Sequence, residues 1–452
     1  MRQHRTGRLL AVLLTAALVA AGCGSDDDKS GGNDNDRTNG GDTSAAFIDP
    51  AQDCAEGWDG TTGVEGDTIR LGTISPKTGA ITATIYDLVT QGMKAKFDYV
   101  NSQGGVKAGD GKTYKIELEE GDDSYDASKT PQVARDLVEN KKIFAMVGEI
   151  GTETSLAVRG YMNEQCVPSI ALGTGSPEWG KNEASPWYIG GLPSYATEAV
   201  AFLEYYKTVK PDAKIAILYQ NDDFGTSYLN AMKKWIDDTG SEMSVVAEEP
   251  FDIKSGQNPE SAITSLAASK ADLLYVGISG SSCAQSLTFI PASWTPDRYL
   301  GITCSVKTAL SFGGDAVEGV YTSQATLDPS SPTDQQNPKV QEYFTQGKAA
   351  GLTDDQLQDG IHAAGWGFAS ILLQALEETP KVTRDALMNT IWQMDVGAIG
   401  LLRDGQKLIT DDAKDPWLIE GLRIVQRKGN DWTEAHPLTD YNGKSNEYAG
   451  NA

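Results

Sequence analysis

Two short stretches of glycine, threonine and serine contain the residue types best suited to holding a small ligand. Residues 151–155, GTETS, come after the apolar run 143–147, and residues 173–176, GTGS, directly follow the apolar run 167–172. Hydroxyl groups can donate hydrogen bonds, and glycine lets a ligand approach the backbone closely. The same residue types cap helices, so a ligand site and ordinary strand-to-helix turns remain equally open interpretations.

The surrounding pattern predicts the elements that position these residues. The two apolar runs predict buried strands, and the segment between them predicts a helix. Such a strand–helix–strand unit is parallel, and its strand ends and helix starts meet at one edge of the sheet, which favours an anion. Strands alternate with helices from Asp67 onward, which predicts an α/β fold with parallel sheets. The number of strands exceeds one core and predicts two lobes.

The charge balance argues against one class of partner. The chain has 452 residues and a formal net charge of −25, and without residues 1–22, which contain three arginines and no acid, the charge becomes −28. Phosphate binding needs a basic surface, so we expect no nucleic acid partner. Beyond the N-terminal run, no apolar stretch is long enough to cross a membrane.

The N-terminus predicts export and a lipid anchor. Three arginines precede an apolar run at 9–21 that is short for a membrane span and ends in small residues. Cys23 follows these residues as in the lipobox of bacterial lipoproteins, although a plain secretory signal with an incidental cysteine is the alternative. Residues 1–22 are therefore predicted to be a lipoprotein signal peptide. Residues 23–64 are predicted to be a flexible polar tether at the outer face of the cell membrane.

Four further cysteines predict two disulfides. An even number in an exported chain favours disulfides over free buried thiols, which are the alternative. Cys283 and Cys304 follow two successive predicted strands, so they can meet at one sheet edge. Cys54 would then pair with Cys166 and fix the end of the tether to the first lobe.

The sequence contains no recognisable catalytic or metal-binding pattern. Beyond residue 22 it has two histidines, His362 and His436, and neither a nucleophile-elbow motif nor a metal-binding histidine pair. His362 lies among small and apolar residues and is predicted to be packed or capping. The acidic clusters of the tether lack the full calcium-loop pattern. We therefore expect no enzyme activity, no cofactor and no metal.

Several motifs occur in a characteristic order. They are GTISPKTG at 72–79, NSQGGV at 101–106, GDD at 121–123, VG at 147–148, PSI at 168–170, DFG at 223–225 and GLLRDG at 400–405. In this order and spacing the chain, from about Thr68 to Trp432, resembles the periplasmic solute-binding proteins of the branched-chain amino-acid type, which are the receptors of ABC importers. The lipoprotein-like start agrees with this resemblance.

The resemblance implies a two-lobed, type 1 periplasmic-binding-protein-like α/β fold. Each lobe would be a mainly parallel sheet flanked by helices, and the chain would cross between lobes three times. Lobe one would comprise residues 65–190 and 322–400, and lobe two residues 191–321 and 401–436, followed by a loose tail at 437–452. The ligand would bind in the cleft, and the lobes would close around it by a hinge.

The resemblance also places ligand contacts on lobe one. Thr152 falls on the position whose hydroxyl holds a ligand carboxylate. Gly173 and Gly175, with Thr174 between them, fall on the positions whose backbone N–H groups donate to the ligand.

In lobe two, the aromatic contact falls on Phe224 and a second contact on Ser279. The acidic residue that pairs with an amino-acid ammonium falls near Thr303, which is not acidic, and a buried ammonium without an anion is costly. Three acids could substitute, but each is expected to be a solvated charge or a cap: Asp222, Asp223 and Glu149.

The expected function is therefore a lipid-anchored substrate-binding protein that delivers a small polar solute to an ABC transporter permease. Candidate ligands are an amino acid, an amide, a urea-like molecule or a small organic acid, and the missing acidic residue favours a ligand without an ammonium group. A ligand-sensing domain without a transport role would use the same fold. An extracellular hydrolase is the third hypothesis, and the absent catalytic patterns argue against it.

Overall fold

Residues 47–79, 85–411 and 414–450 are described by the structure, a computed structural model of the 452-residue chain. The predicted signal peptide, Cys23 and the first part of the predicted tether lie outside these residues. Within the described ranges, no helix is both long and apolar enough to cross a membrane.

The first of two central sheets has seven strands from the N-terminal part of the chain. They are β1 (Val64–Glu65), β2 (Thr68–Ser75), β3 (Val106–Lys107), β4 (Thr113–Asp122), β5 (Ala145–Val147), β6 (Ser169–Leu172) and β7 (Tyr188–Gly190). Their spatial order is β3-β4-β2-β5-β6-β7, with β1 paired to β2. The pairs from β4 to β7 are parallel, whereas β1 and β3 pair in antiparallel fashion.

The second sheet also has seven strands, and a separate hairpin interrupts their order along the chain. The strands, including hairpin β13–β14, are β8 (Lys214–Gln220), β9 (Ser244–Phe251), β10 (Leu273–Gly277), β11 (Asp297–Leu300), β12 (Tyr321–Gln324), β13 (Asp395–Gly397), β14 (Lys407–Ile409), β15 (Gly421–Lys428) and β16 (Asp431–Asp440). The order in the sheet is β16-β15-β12-β11-β10-β8-β9. The pairs from β12 to β9 are parallel, and β15 and β16 close the edge in antiparallel fashion.

Helices cover both faces of these sheets. Because the central strands are buried on both sides, their sequences are nearly continuous apolar runs. All five residues of β10 are buried, for example. The α-helices are α1 (Pro50–Asp53), α2 (Asp87–Ser102), α3 (Thr130–Arg135), α4 (Thr152–Glu164), α5 (Tyr195–Val209), α6 (Asp223–Thr239), α7 (Glu260–Ala267), α8 (Ser281–Ser286), α9 (Lys307–Ser311), α10 (Pro338–Ala349), α11 (Asp354–Leu357), α12 (Gly360–Glu378), α13 (Arg384–Ile391) and α14 (Ser445–Ala449). The predicted α/β class with two mainly parallel sheets is confirmed.

Both predicted disulfides are present. Cys54 is bonded to Cys166 and Cys283 to Cys304, with Cα atoms 5.9 and 6.2 Å apart. The first bond fixes the segment before β1 to the loop between α4 and β6, and the second joins α8 to the turn after β11.

Two predicted boundaries are wrong. Residues 47–64 do not belong to a tether, because Ile48 is buried and its backbone exchanges two hydrogen bonds with the Asn389 side chain, at 2.9 and 3.0 Å. Residues 437–450 are not a loose tail either, because β16 continues to Asp440 and α14 packs against α5. There the Thr197 hydroxyl donates to Ser445 at 2.7 Å. The boundaries between lobes remain predictions.

Helices α2 and α12 approach each other closely because a glycine lies on each side of the contact. A Cβ atom on Gly92 would lie 2.0 Å from the carbonyl oxygen of His362, and a Cβ on Gly365 would lie 1.9 Å from that of Val89. Neither position has room for a larger residue. The distance between the two helices is therefore set by these glycines.

We predict that Gly365→Ala lowers the free energy of unfolding. The added methyl group must push α2 and α12 apart, and overpacking of this kind typically costs about 1–3 kcal/mol. Gly160→Ala in α4 is the matched control, since its Cβ meets no atom within 4 Å and the helix gains about 0.5–1 kcal/mol. Urea unfolding measures both, and equal stabilisation of the two variants would contradict the close contact.

Candidate functional site

The hydroxyls of Thr152 and Thr174 meet at the edge where β5 and β6 end. Their Oγ1 atoms are 2.6 Å apart, and both side chains are buried. Thr152 is the first residue of α4, and the N-cap is Gly151, which has no side-chain oxygen to accept from the N–H groups of the first turn. The structure thus brings together the two predicted hydroxyls beside the positive end of a helix dipole.

The predicted backbone donors are already used within the protein. The N–H of Gly173 donates to the carbonyl oxygen of Glu149 at 2.8 Å, and its predicted role as a donor to the ligand stays a prediction. Burial raises the pKa of the Tyr195 hydroxyl, and hydrogen bonds from the Gly175 backbone and the Thr174 side chain act against that rise. The donors at this end of the site are therefore hydroxyl groups.

Tyr125 lies beside the start of α4 because of an unusual turn. Ser124 and Tyr125, which follow β4, both have φ of 57°. The buried carboxylate of Asp123 holds this turn by accepting from the Tyr125 N–H and the Thr130 hydroxyl, both at 2.9 Å. A Cβ on Gly151 would lie 2.8 Å from Cε2 of Tyr125, so glycine at this N-cap makes room for the ring.

Tyr86 reaches from the start of α2 to the second sheet. Its hydroxyl accepts from the Gly280 N–H at 2.7 Å. Burial raises the pKa of Tyr86, while hydrogen bonds with Gly280, Ser279 and Thr303 oppose the rise. Tyr86 therefore brings the predicted lobe-two positions Ser279 and Thr303 close to the first sheet.

Ser279 is held by a chain of polar side chains. Its N–H and hydroxyl both donate to Oε1 of Gln220, at 3.1 and 2.6 Å, and the Gln220 amide donates to Asp222. The other oxygen of Asp222 accepts from the N–H groups of Phe224 and Gly225 at 3.1 and 3.2 Å. Asp222 is thus the N-cap of α6, as predicted.

Phe224 supports the site from behind. Its buried ring packs edge-on against Tyr195, with centroids 4.9 Å apart, and against Tyr228, at 5.5 Å. The Tyr195 hydroxyl in turn contacts Thr174. Phe224 therefore orients Tyr195, an aromatic residue that the sequence did not single out.

A cavity of about 170 Å³ is lined by two of the predicted contacts, Gly173 and Thr303, but not by Thr152, Thr174, Gly175, Phe224 or Ser279. Tyr86, Gly173 and Thr303 lie at the polar end of the cavity. The remaining walls come from α2, α12 and the segments 302–306, 324–329 and 399–402. Their side chains are mostly apolar: Val89, Ile302, Val306, Leu327, Ile361, Phe368, Ile371, Ile399, Leu401 and Leu402.

Contacts between elements of the two sheets close the site. Besides the Tyr86–Gly280 hydrogen bond, Glu153 in α4 pairs with Lys254 after β9 at 3.1 Å. Both charged side chains are partly exposed, so the pair contributes at most about 1 kcal/mol. The Glu153–Lys254 ion pair shows that the start of α4 faces the second sheet.

Glu149 is neither a solvated charge nor a cap, contrary to the sequence-based expectation. Its side chain is fully buried, and Ser155 is the one side chain whose hydrogen bonding opposes the effect of that burial on its pKa. Burial, with a smaller contribution from the charge of Asp123, raises the pKa of Glu149 to about 8. The carboxyl group is therefore protonated and neutral at pH 7.

Sequence reasoning missed four residues of the site: Tyr86, Tyr125, Tyr195 and Gln220. All four share one signal, since each lies at or within three residues of the end of a parallel strand or the start of a helix. Among residues 47–79, 85–411 and 414–450, no group of three or more histidine, cysteine or acidic side chains is arranged to hold a metal ion.

Comparison with known proteins agrees with this geometry. A model of the family described as periplasmic binding protein matches residues 68–429. An amino acid binding protein of Pseudomonas aeruginosa is 23% identical over 212 residues, which is 46% of this chain and 53% of that protein. The chain thus matches about half the length of this curated relative.

Solved structures share the fold over nearly their whole length. A branched-chain amino acid ABC transporter protein from Thermus thermophilus with bound valine has a TM-score of 0.70 at 15% identity, covering 83% of this chain and 97% of that one. The fatty acid ABC transporter substrate-binding protein from Thermomonospora curvata has a TM-score of 0.66 at 21% identity, covering 86% and 96%. These similarities confirm the predicted two-lobed architecture.

We predict that Glu149 makes stability fall as the pH rises. The folded protein keeps the proton up to about pH 8, whereas the unfolded chain releases it near 4.5. Between these values the unfolded state binds fewer protons, so this group lowers stability by up to about 1.4 kcal/mol per pH unit. Glu149→Gln should gain stability relative to wild type between pH 5 and 8.

Urea unfolding at four pH values and constant ionic strength measures this difference. Glu164→Gln, which changes an exposed carboxylate at the end of α4, is the control and should keep the wild-type pH dependence. Parallel pH profiles for Glu149→Gln and wild type would contradict the assignment.

Proposed function

Because the chain belongs to the periplasmic binding protein family, we propose that it is the extracytoplasmic substrate-binding protein of an ABC importer. It captures a small molecule between its two lobes and delivers it to a permease. The observation that supports this role is the buried pair of hydroxyls, Thr152 and Thr174, at the start of α4, faced by groups from the second sheet.

The polar end of the site suits an oxygen acceptor. It offers threonine hydroxyls, the Tyr195 hydroxyl and the first turn of α4, and none of the described residues that line the cavity beside it is a lysine or an arginine. Hydroxyl donors and a helix N-terminus stabilise a carboxylate without a positive side chain. A carboxylate or an amide oxygen is therefore the group that Thr152 and Thr174 hold.

The acids near the site leave no partner for a ligand ammonium. Thr303 replaces the acidic residue expected from the family resemblance, Asp222 caps α6, and Glu149 is protonated at pH 7. The structural neighbours described above are named for valine and for fatty acids, so this fold serves ligands with and without an ammonium group. In this chain the ligand is an acid or an amide.

The proposed location of the protein, outside the cytoplasm and anchored to the membrane, rests on its first residues. Cys23 becomes the lipid-modified N-terminus after removal of residues 1–22, and the chain up to about residue 46 connects the anchor to the folded part. The Cys54–Cys166 disulfide fixes the point where the folded part begins, and disulfides of this kind persist outside the cytoplasm.

We predict that Thr152→Val weakens ligand binding while the shape of the site is kept. The loss should be about 1.5–3 kcal/mol if the acceptor is charged and about 0.5–1.5 kcal/mol if it is neutral. A thermal-shift screen of organic acids, amides, urea-like molecules and amino acids identifies a ligand, and calorimetry then compares the variants.

Thr390→Val is the matched control, because the Thr390 hydroxyl donates within its own helix α13, to the Ala386 carbonyl oxygen at 2.9 Å. Its affinity should equal that of wild type. Unchanged affinity in Thr152→Val would contradict the proposed role of the Thr152 hydroxyl in holding the ligand. The absence of any stabilising ligand would contradict the receptor function.

We also predict that Cys23 is lipid-modified. Mass spectrometry of protein from the native membrane should show a diacylglyceryl group on an N-terminal Cys23, and Cys23→Ser should release the protein from the membrane fraction. A mature form that begins elsewhere, with Cys23 unmodified or absent, would rule out this anchor.

A further inference from the structure

We propose that the ligand is a hydrophobic monocarboxylate, with an aromatic or branched aliphatic body about the size of a benzene ring. This inference rests on the proposed receptor function and names its ligand class. It replaces the small polar solute expected from the sequence. The evidence is the apolar cavity that continues from the polar edge of the site.

The size of the cavity defines the size of the ligand body. Its volume is about 170 Å³, and a cavity of about 150 Å³ lined by aliphatic and aromatic side chains binds benzene. A group of six to eight carbon atoms therefore fits, whereas urea or acetate would leave most of the space empty. An empty apolar space gains no dispersion contacts.

The described lining of the cavity offers a polar ligand no free charged group. Asp328 is the one acidic or basic residue among the described residues that line it. Its carboxylate accepts from the Trp432 indole at 2.7 Å and from the N–H and hydroxyl of Ser330 at 2.8 and 2.7 Å. Both carboxylate oxygens of Asp328 are thus already engaged by protein donors, so the carboxylate is not a free counter-ion for an ammonium group on the ligand body.

One glycine keeps the cavity open. Gly367 lies in the middle of α12 with an ordinary helical backbone, so no special conformation requires glycine there. A Cβ at this position would meet no atom within 4 Å, and Gly367 lines the cavity. Glycine within a helix is destabilising relative to alanine. The space it leaves is what an occupant of the cavity would use.

Backbone segments next to the two threonines line the cavity. Ile150 and Gly173, which pair as neighbouring backbone segments, both line the cavity. Thr152 lies two residues after Ile150, and Thr174 directly follows Gly173. We therefore place the carboxylate at the two threonines and the body of the ligand in the adjoining cavity between α2 and α12.

Matched ligand pairs test this directly. Calorimetry compares 4-methylpentanoate with leucine, and 3-phenylpropanoate with phenylalanine, since each pair differs by one ammonium group. Benzoate and acetate, which differ in the size of their apolar group, test whether the apolar body of the ligand contributes to affinity. We expect at least one hydrophobic acid to bind at least tenfold more tightly than its amino-acid counterpart and than acetate.

Gly367→Phe fills the cavity and should weaken binding of the hydrophobic acid at least tenfold. Gly160→Phe is the matched control, because its Cβ also meets no atom within 4 Å but points to the exposed surface of α4; its affinity should equal that of wild type. Gly367→Ala, which adds one methyl group and favours the helix, should weaken binding by a smaller factor and keeps the test valid if the larger variant does not fold.

The outcomes separate this inference from the proposed function. Tighter binding of leucine or phenylalanine than of the matched acids overturns the inference and leaves the receptor function intact. The same holds for a ligand whose affinity Gly367→Phe and Gly367→Ala do not change. If no acid, amide or amino acid binds at all, the receptor function itself fails.

Discussion

The hydrogen bond between the Thr152 and Thr174 hydroxyls is the constraint on which the rest of the site depends. In this bond one hydroxyl donates and the other accepts. The hydroxyl hydrogen of the accepting threonine is therefore free to donate to a third group. Because both groups are buried, an unused hydrogen is costly. Tyr195, whose hydroxyl contacts Thr174, can accept it, and so can a ligand oxygen that enters the site.

The contact between α2 and α12 connects this polar edge to the apolar cavity. Gly365 brings α12 against the Val89 carbonyl oxygen, and Val89 also lines the cavity. Two residues later, Gly367 faces open space. The two glycines therefore act in opposite ways. Gly365 allows α12 to contact α2, whereas Gly367, which has no side chain, leaves the space beside that contact empty.

The local part of this architecture could be predicted from the sequence, because it depends on neighbouring residues. Apolar runs identified β5 and β6, and the strand–helix–strand pattern placed Thr152 and Thr174 at one edge. The same topology supported the pairing of Cys283 with Cys304. The packing of α14 was missed because it depends on a contact between Thr197 and Ser445, which are far apart in sequence.

Other features required tertiary information for different reasons. Tyr125 enters the site through two successive residues with positive φ, which residue type alone does not predict. The N–H of Gly173 is used because β5 continues as an irregular segment whose Glu149 carbonyl lies opposite it. The cavity is assembled from α2, α12 and several loops, so no single stretch of sequence contains its signal.

The state of the acids near the site is compatible with the proposed anionic ligand, although the chain has a net charge of −25. Asp222 and Asp328 use their oxygens to accept hydrogen bonds from a helix N-terminus and from an indole, and Glu149 is protonated at pH 7. Two like charges 4 Å apart at an effective dielectric constant of 20 repel by about 4 kcal/mol, so an ionised Glu149 behind the start of α4 would oppose a bound carboxylate. Burial removes that charge. The local field is then set by the first turn of α4 and the hydroxyls rather than by the net charge of the protein.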